Sequence, residues 1–184
     1  VIWMNYRNDR SRQIMEALTN PNYSEFKTNN LENTKVYSFL PIGKNINTKT
    51  FLTPTVINNP LGIYLSKLGL TQARIAETEK YAHVTYFFDG GFNGSLEGCS
   101  KFLIPSPDVA TYDLKPQMSA VEITKKAIAC MEKDIDFIFI NYANCDMVGH
   151  TGNYDATVKA VMAVDLCLGK LVEEALNNFY KVVI

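Results

Sequence analysis

The sequence predicts an α/β fold in which helices flank a mostly parallel sheet. Residues 137–140 form an apolar run typical of a buried strand, and residues 155–177 behind it have the pattern of a long helix. Ahead of that strand, Ser119 and Glu122 match a capping box that starts a helix ending near Lys133. Helix, strand and helix alternate along the chain, which is the order typical of a parallel sheet.

The pattern of the first fifty residues predicts a smaller α/β segment that ends in a turn-rich connection. Residues 1–5 and 35–40 have the composition of strands, and residues 9–18 have the pattern of a helix. Residues 20–33 are polar and rich in Asn, which indicates a surface connection. Residues 41–49 lose periodicity and collect Pro, Gly and Asn, so we expect a hinge there.

The middle of the chain predicts a helix followed by two strands. Asn59 and Pro60 match a helix start, and Gly69 matches the corresponding stop. Residues 74–76 and 83–88 are predicted to be strands, the second ended by two glycines.

The last fifty residues predict a strand, a long helix and a closing strand. The strand is expected over 135–140 and the closing strand over 180–184. The long helix is expected to pack on the sheet through a broad apolar face, formed by Val158, Val161, Leu168, Leu171, Val172, Ala175 and Leu176.

The overall composition is that of a globular protein with no general attraction for polyanions. The 184 residues are 47% apolar and 20% charged, with a net charge of −1, so neither nucleic acid nor an anionic membrane is an expected partner. No apolar run approaches the roughly 20 residues of a membrane span. The four cysteines are scattered without a C-x-x-C pair, which predicts reduced thiols and a cytoplasmic protein.

Asp146 and His150 are the strongest candidates for metal ligands. They follow the buried strand at 137–140, and open α/β sheets bind ligands at the carboxyl ends of their strands. A carboxylate oxygen and an imidazole nitrogen suit a divalent ion such as Mn²⁺ or Zn²⁺. The alternative from spacing alone is that Asp146 caps a turn while His150 packs in a polar pocket.

Arg7, Arg10 and Arg12 form a second candidate site, a group of cations for an anionic ligand. They lie at a predicted strand end and in the first turn of a helix, where guanidinium groups and helix amides both favour phosphate or carboxylate. The alternative is a solvated basic turn that pairs with Asp9 and Glu16.

Lys80 lies between Glu79 and Tyr81, just before a predicted strand. From local spacing it is a surface ion pair worth under about 1 kcal/mol. His83 falls within that strand pattern and is predicted to be a packed, hydrogen-bonded residue. Arg74 and Glu79 are candidates for supporting contacts, although spacing does not establish them.

Four longer stretches give these residues a common context. They are N-Y-R-N-D-R-S-R-Q at 5–13, A-E-T-E-K-Y-A-H-V-T at 76–85, S-P-D-V-A-T-Y-D-L at 106–114 and N-Y-A-N-C-D-M-V-G-H-T-G at 141–152. In content and order they resemble sequence blocks of the 2,3-bisphosphoglycerate-independent phosphoglycerate mutases, which belong to the alkaline phosphatase superfamily.

The resemblance implies a role for each candidate residue. Arg7 and Arg10 would bind phosphoglycerate, Lys80 would contact its phosphate near the nucleophile, and Asp146 and His150 would bind metal. Arg12 would be structural. The implied enzyme is a glycolytic isomerase that uses two Mn²⁺ or Mg²⁺ ions to interconvert 3-phosphoglycerate and 2-phosphoglycerate through a phosphoserine.

The resemblance also implies a domain assignment and an incomplete fold. Residues 1–48 would be the C-terminal part of a phosphotransferase (substrate-binding) domain with its hinge, and residues 49–184 part of a phosphatase-like metal-binding domain. The nucleophilic serine and the remaining metal ligands of the family have no counterpart in the chain. We therefore expect a partial, monomeric chain that is inactive by itself and holds no metal well.

Two alternatives remain open from the sequence. One is a different phosphomutase or a phosphohydrolase of the alkaline phosphatase superfamily. The other is a non-catalytic fragment that has kept the fold without the activity. The arginine group favours the mutase, because the resemblance assigns it to the inserted substrate-binding domain.

Overall fold

A computed structural model describes residues 1–7, 11–28, 34–43, 46–55 and 57–184. The chain divides into two compact units, one of residues 1–56 and one of residues 57–184. The division falls later than the expected boundary near residue 48. The reason is that Lys49 and Phe51 donate backbone hydrogen bonds to Val36 and Ser38 of the first unit, at 3.0 and 3.1 Å.

Within its described residues, the first unit contains a small parallel sheet and one helix. Its strands β1 (Ile2–Trp3), β2 (Tyr37–Ser38) and β3 (Lys49–Thr50) lie in the order β1-β2-β3. Helix α1 spans Ser11–Thr19. The strands predicted near residues 1–5 and 35–40 are confirmed but shorter, and the predicted helix start at Asp9 lies outside the described residues. Among the described residues, the buried members of its core are Met15, Val36 and Ile42.

The second unit contains a parallel sheet with the order β5-β4-β6 and five helices within its described residues. The strands are β4 (Gln72–Glu77), β5 (Cys99–Ile104) and β6 (Phe137–Asn141). The helices are α2 (Leu61–Lys67), α3 (Tyr81–Val84), α4 (Ala120–Met131), α5 (Asn144–Gly149) and α6 (Tyr154–Asn177). The predicted α/β class with parallel strands and flanking helices is confirmed.

Strand β4 is the centre of this unit, and all six of its residues are buried. On one face, Ala73 and Ile75 pack against side chains of α4 and α6, with burial of apolar surface as the main stabilising term. The helical residues of this cluster are Ile123, Ala127, Cys130, Met131, Leu171 and Ala175.

The other face of β4 buries a cation, which the sequence did not predict. Arg74 has no exposed side-chain surface, and its guanidinium carbon lies 4.1 Å from the centre of the Phe88 ring. Its Nη2 donates to Gln72 Oε1 at 2.6 Å and lies 3.8 Å from Asp89 Oδ1. A buried charge requires such partners, although Arg74 Nε and Nη1 have no hydrogen-bond partner among the described residues, so Arg74 belongs to the interior of the unit.

Gly62 in α2 makes room for this buried pair. A Cβ atom at Gly62 would overlap Asp89 Oδ1 and would lie 2.7 Å from Arg74 Nη2. We expect Gly62→Ala to lower the free energy of unfolding by about 1–3 kcal/mol through overpacking. Gly169→Ala is the matched control, because a Cβ there meets nothing within 4 Å and should stabilise α6 by about 0.5–1 kcal/mol. Equal effects in urea unfolding would contradict this account.

Several predicted elements were wrong. Residues 83–88 form the end of α3 and turns, not a strand, and β5, one of the two strands that pair with β4, was not predicted. The predicted closing strand at 180–184 pairs with nothing among the described residues, and Val183 and Ile184 are 95% and 90% exposed.

The helix contacts also differ from the predictions. Val158, Val161 and Leu176 of α6 are exposed, whereas the buried residues are mostly small ones: Ala156, Ala160, Cys167, Leu171 and Ala175. Small side chains let the α6 backbone approach the neighbouring elements closely. The stripe of α6 residues buried against these elements is therefore narrower than the apolar face predicted from the sequence. None of the helices in the described ranges is both long and apolar enough to cross a bilayer.

Candidate functional site

The candidate site lies at the carboxyl edge of the second unit's sheet. Strands β4 and β6 are parallel neighbours, with Ala76 opposite Asn141. Strand β4 continues into a 3₁₀ turn, Thr78–Lys80, and β6 leads into α5. Because parallel strands end at the same edge, residues far apart in the chain meet there, as in other open α/β sheets.

Asp146 and His150 lie on and just after α5, a short helix where a loop was predicted. They are four residues apart, so their side chains lie on one face of the helix. His150 Nε2 is 3.3 Å from Asp146 Oδ1. The His150 side chain is 71% exposed and that of Asp146 is 49% exposed, which contradicts the alternative of a packed histidine.

Lys80 completes the group, because its Nζ contacts Asp146 Oδ2 across 66 positions of sequence. The Lys80 side chain is only 15% exposed. The sequence had suggested a surface pair with a neighbouring glutamate, but the described partner of Lys80 is Asp146. A pair with a half-exposed carboxylate contributes under about 1 kcal/mol, so stability does not explain this placement.

The donor set of Asp146 and His150 fits a divalent metal ion. Two ligands bonded to one ion at about 2.1 Å lie about 3.0–3.4 Å apart, which matches the 3.3 Å between Oδ1 and Nε2. A carboxylate and an imidazole suit Mn²⁺ or Zn²⁺. Within the described ranges, no group of three or more His, Cys, Asp and Glu residues is arranged to hold a metal.

Glu77 anchors the base of the Lys80 turn from inside the fold. Its wholly buried carboxylate accepts hydrogen bonds from the Ser119 backbone N–H at 3.1 Å and from Ser106 Oγ at 3.2 Å. Burial raises the pKa of Glu77, and these two hydrogen bonds partly oppose that shift. Ser119 is the N-cap residue of α4, as predicted, but its side chain makes no capping hydrogen bond and its hydroxyl donates instead to the Pro105 carbonyl at 2.8 Å.

Glu79 and Tyr112 form a second link between the Lys80 turn and the segment that follows β5. The Tyr112 hydroxyl donates to Glu79 Oε1 at 2.8 Å. Burial raises the pKa of Tyr112, and the neighbouring Glu79 carboxylate adds to the increase. The next residue, Asp113, accepts a hydrogen bond from Asn153 Nδ2 at 3.3 Å, and the bonds to Thr111 and Asn153 lower the pKa of Asp113.

The same segment supports α5. Asn144, which was expected to close a local loop, donates instead to the Pro116 carbonyl at 2.9 Å. A small core lies below, and its buried members come from this segment, from the start and interior of α5 and from the first turns of α6: Met118, Ala143, Val148, Ala156 and Ala160. The segment that follows β5 is therefore hydrogen-bonded both to the 3₁₀ turn that contains Lys80 and to α5, which contains Asp146.

The other candidate residues lie elsewhere or differ from expectation. Arg7 belongs to the first unit, where its backbone N–H donates to Asn5 Oδ1 at 2.9 Å, and its side chain is exposed. Arg10 lies outside the described residues. His83 is exposed in α3, with its ring centre 5.3 Å from that of Phe87, rather than packed in a strand.

Sequence reasoning missed Glu77, Tyr112 and Ser119. Local spacing gave no indication of them, because Glu79 and Tyr112 are separated by 33 positions and Glu77 and Ser119 by 42. The available signal was that both glutamates and Tyr112 fall within the blocks at 76–85 and 106–114. Arg74, considered as a supporting residue, instead has its described partners, Gln72 and Asp89, inside the unit.

Comparisons with known proteins place the chain in a family. A family model described as the Metalloenzyme superfamily matches residues 10–184. The 2,3-bisphosphoglycerate-independent phosphoglycerate mutase of Thiobacillus denitrificans is 47% identical over 186 residues, which is 100% of this chain and 36% of the relative. The protein of the same name from Pseudomonas putida KT2440 is 49% identical, over 94% of this chain and 34% of the relative.

A solved structure gives the same result. The crystal structure of Leishmania mexicana phosphoglycerate mutase at low cobalt concentration superposes with a TM-score of 0.70 and 29% identity, over 97% of this chain and 33% of that chain. The chain thus spans about a third of the length of these relatives. The resemblance inferred from the four blocks is confirmed, and the chain belongs to the metalloenzyme superfamily.

Proposed function

We propose that this chain is part of a metal-dependent phosphoglycerate mutase that interconverts 3-phosphoglycerate and 2-phosphoglycerate through a phosphoserine intermediate. The observation that supports this most directly is the contact of Lys80 with Asp146, beside His150, at the carboxyl edge of the sheet. A cation next to a metal-type donor pair suits an anionic phosphoryl group. The names of the similar proteins indicate which phosphoryl transfer this is.

In this proposal the chain's own residues bind and orient the substrate. The Lys80 ammonium, mostly withdrawn from water, holds the phosphoryl oxygens, and a charge in a less polar environment acts more strongly than in water. Arg7 and Arg10 bind the anionic groups of phosphoglycerate with their planar guanidinium forks.

Asp146 and His150 would hold one of two divalent ions, with Mn²⁺ or Mg²⁺ as the proposed species. When bound, such ions neutralise the charge that develops on the transferring group and activate the nucleophile. Asp146 Oδ1 faces His150 and Oδ2 faces Lys80, so its carboxylate can serve the metal and the lysine with different oxygens.

We further propose that the two units are parts of the two domains expected for this family. Residues 1–56 would belong to the phosphotransferase domain and residues 57–184 to the phosphatase-like domain. A cytoplasmic, monomeric enzyme acting on a small molecule is the accompanying proposal. The cytoplasmic location is supported by the four cysteines, which all lie in the described part of the chain and are free thiols.

A chimaera tests the proposed function. In this chimaera, residues 1–184 replace the matching segment of the Thiobacillus denitrificans relative, which aligns with the whole chain. We expect it to convert 3-phosphoglycerate in an enolase-coupled assay, with added Mn²⁺ or Mg²⁺ and without 2,3-bisphosphoglycerate. The 184-residue chain alone should show no turnover, because the family's serine and other metal ligands have no counterpart in it. An inactive but folded, metal-loaded chimaera would contradict the proposal.

A further inference from the structure

The 3₁₀ turn that contains Lys80, with Glu77 just before it, is hydrogen-bonded on two sides to residues 105–119. We call these residues the bridging segment. On the inner side, Glu77 accepts from Ser119 and Ser106, and Thr78 Oγ1 accepts from the Ser106 backbone N–H at 3.2 Å. On the outer side, Glu79 accepts from the Tyr112 hydroxyl. The three consecutive residues before Lys80, which are Glu77, Thr78 and Glu79, therefore each accept a hydrogen bond from the bridging segment.

The bridging segment is bonded equally to the elements around Asp146 and His150. The Pro116 carbonyl accepts from Asn144, two residues before Asp146. Asp113 accepts from Asn153, which caps α6 through a bond from the Ala156 backbone N–H at 3.1 Å. The segment thus connects the two halves of the candidate site through the fold.

We propose that Tyr112 is a positioning residue for Lys80. Its phenolic hydrogen bond to Glu79 fixes the outer side of the 3₁₀ turn, and the turn holds the Lys80 ammonium against Asp146. The Tyr112 ring packs on the small core that also supports α5, the helix that contains Asp146. The position of the phenol is therefore fixed relative to Asp146. Tyr112 does not contact the substrate in this proposal, which rests on the proposed function only for the role of Lys80.

Hydrogen exchange on the 184-residue chain tests whether Tyr112 holds the 3₁₀ turn, without any assay of activity. The Tyr81 backbone N–H donates to the Thr78 carbonyl and so reports on the turn. Tyr112→Phe should speed exchange of this amide about tenfold, because a hydrogen bond to a charged group is lost. The Gln72 amide, bonded to Gly98 in the sheet at 2.7 Å, should not change. Unchanged exchange at Tyr81 would overturn the proposal.

Tyr154→Phe is the matched control. It removes the same hydroxyl from an exposed tyrosine at the start of α6 and should leave Tyr81 exchange as it was. An equal effect of both substitutions would mean that the loss of any phenol loosens the chain, and would overturn the proposal.

Kinetics of the chimaera test whether the positioning of Lys80 by Tyr112 affects turnover. Tyr112→Phe should lower kcat about tenfold while KM changes less than about twofold, since geometry at the reacting group is affected more than binding. Glu79→Ala should lower kcat similarly, and the double variant should be no worse than either single variant. Glu79→Gln keeps an oxygen that accepts from Tyr112, so it should retain most of the activity.

The outcomes separate this inference from the proposed function. Faster Tyr81 exchange with an unchanged kcat, or additive losses in the double variant, would overturn the positioning role. If the unsubstituted chimaera has no mutase activity, the proposed function fails, and the exchange result still decides whether Tyr112 holds the turn.

Discussion

Replacing His150 with alanine in the chimaera is expected to lower metal content and to reduce mutase turnover by orders of magnitude. The reason is that His150 Nε2 is a metal-type donor 3.3 Å from Asp146 Oδ1, and no group of three or more such donors is arranged to replace it within the described residues. Removing a ligand weakens metal binding, and without the ion the charge on the transferring phosphoryl is not neutralised. The fold should survive, because a side chain that is 71% exposed leaves no core cavity when truncated.

Metal analysis of the purified variant, together with its circular dichroism spectrum and turnover, checks this prediction. His83→Ala is the matched control, since it removes the chain's other histidine from an exposed position in α3. The control should keep metal and activity. Full metal content and activity in the His150 variant would assign this histidine a surface role and contradict the proposed site.

Replacing Arg7 with lysine in the chimaera is expected to lower mutase turnover by about 10–100-fold, because an ammonium cannot reproduce the two parallel hydrogen bonds of a guanidinium. Hydrolysis of p-nitrophenyl phosphate should fall much less, since a small activated ester needs the metal and nucleophile but not the contacts to glycerate. The ratio of the two activities measures the contribution of Arg7 to phosphoglycerate recognition.

Arg12→Lys provides the comparison for Arg7. Arg12 is exposed in α1, and we expect its substitution to change both activities little. Equal loss of mutase and hydrolase activity in the Arg7 variant, or loss of neither, would mean that the arginine group is structural. That outcome would favour the alternative of a phosphohydrolase over a mutase.

Sequence reasoning was most successful where the pattern was long and regular. Helix α6 was predicted over 155–177 and spans Tyr154–Asn177, and the buried strand before α5 was predicted within two residues at its start and one at its end. Burial of apolar side chains dominates such elements, so periodicity is enough to identify them. The spacing of Asp146 and His150 left open whether they meet, and the structure places them 3.3 Å apart on and just after a helix where a loop was predicted.

Short elements were predicted poorly because packing, not local pattern, determines them. Strand β5 has a mixed composition, C-S-K-F-L-I, and is a strand because it pairs with β4 along six positions. Residues 83–88, H-V-T-Y-F-F, have the β-branched and aromatic composition of a strand, but the chain continues from a 3₁₀ turn into α3 and turns. Neither outcome is visible in a window of six residues.

The sequence by itself determined the α/β class, the family and the residue types of the site, because these depend on periodicity and on motifs that are local in the chain. Only the tertiary structure decided which of those residues meet. Lys80 contacts Asp146, and Glu79 binds Tyr112, because β4 lies between β5 and β6 and all three strands run in the same direction. Parallel pairing brings the residues that follow these strands to one edge, however many residues separate them in sequence.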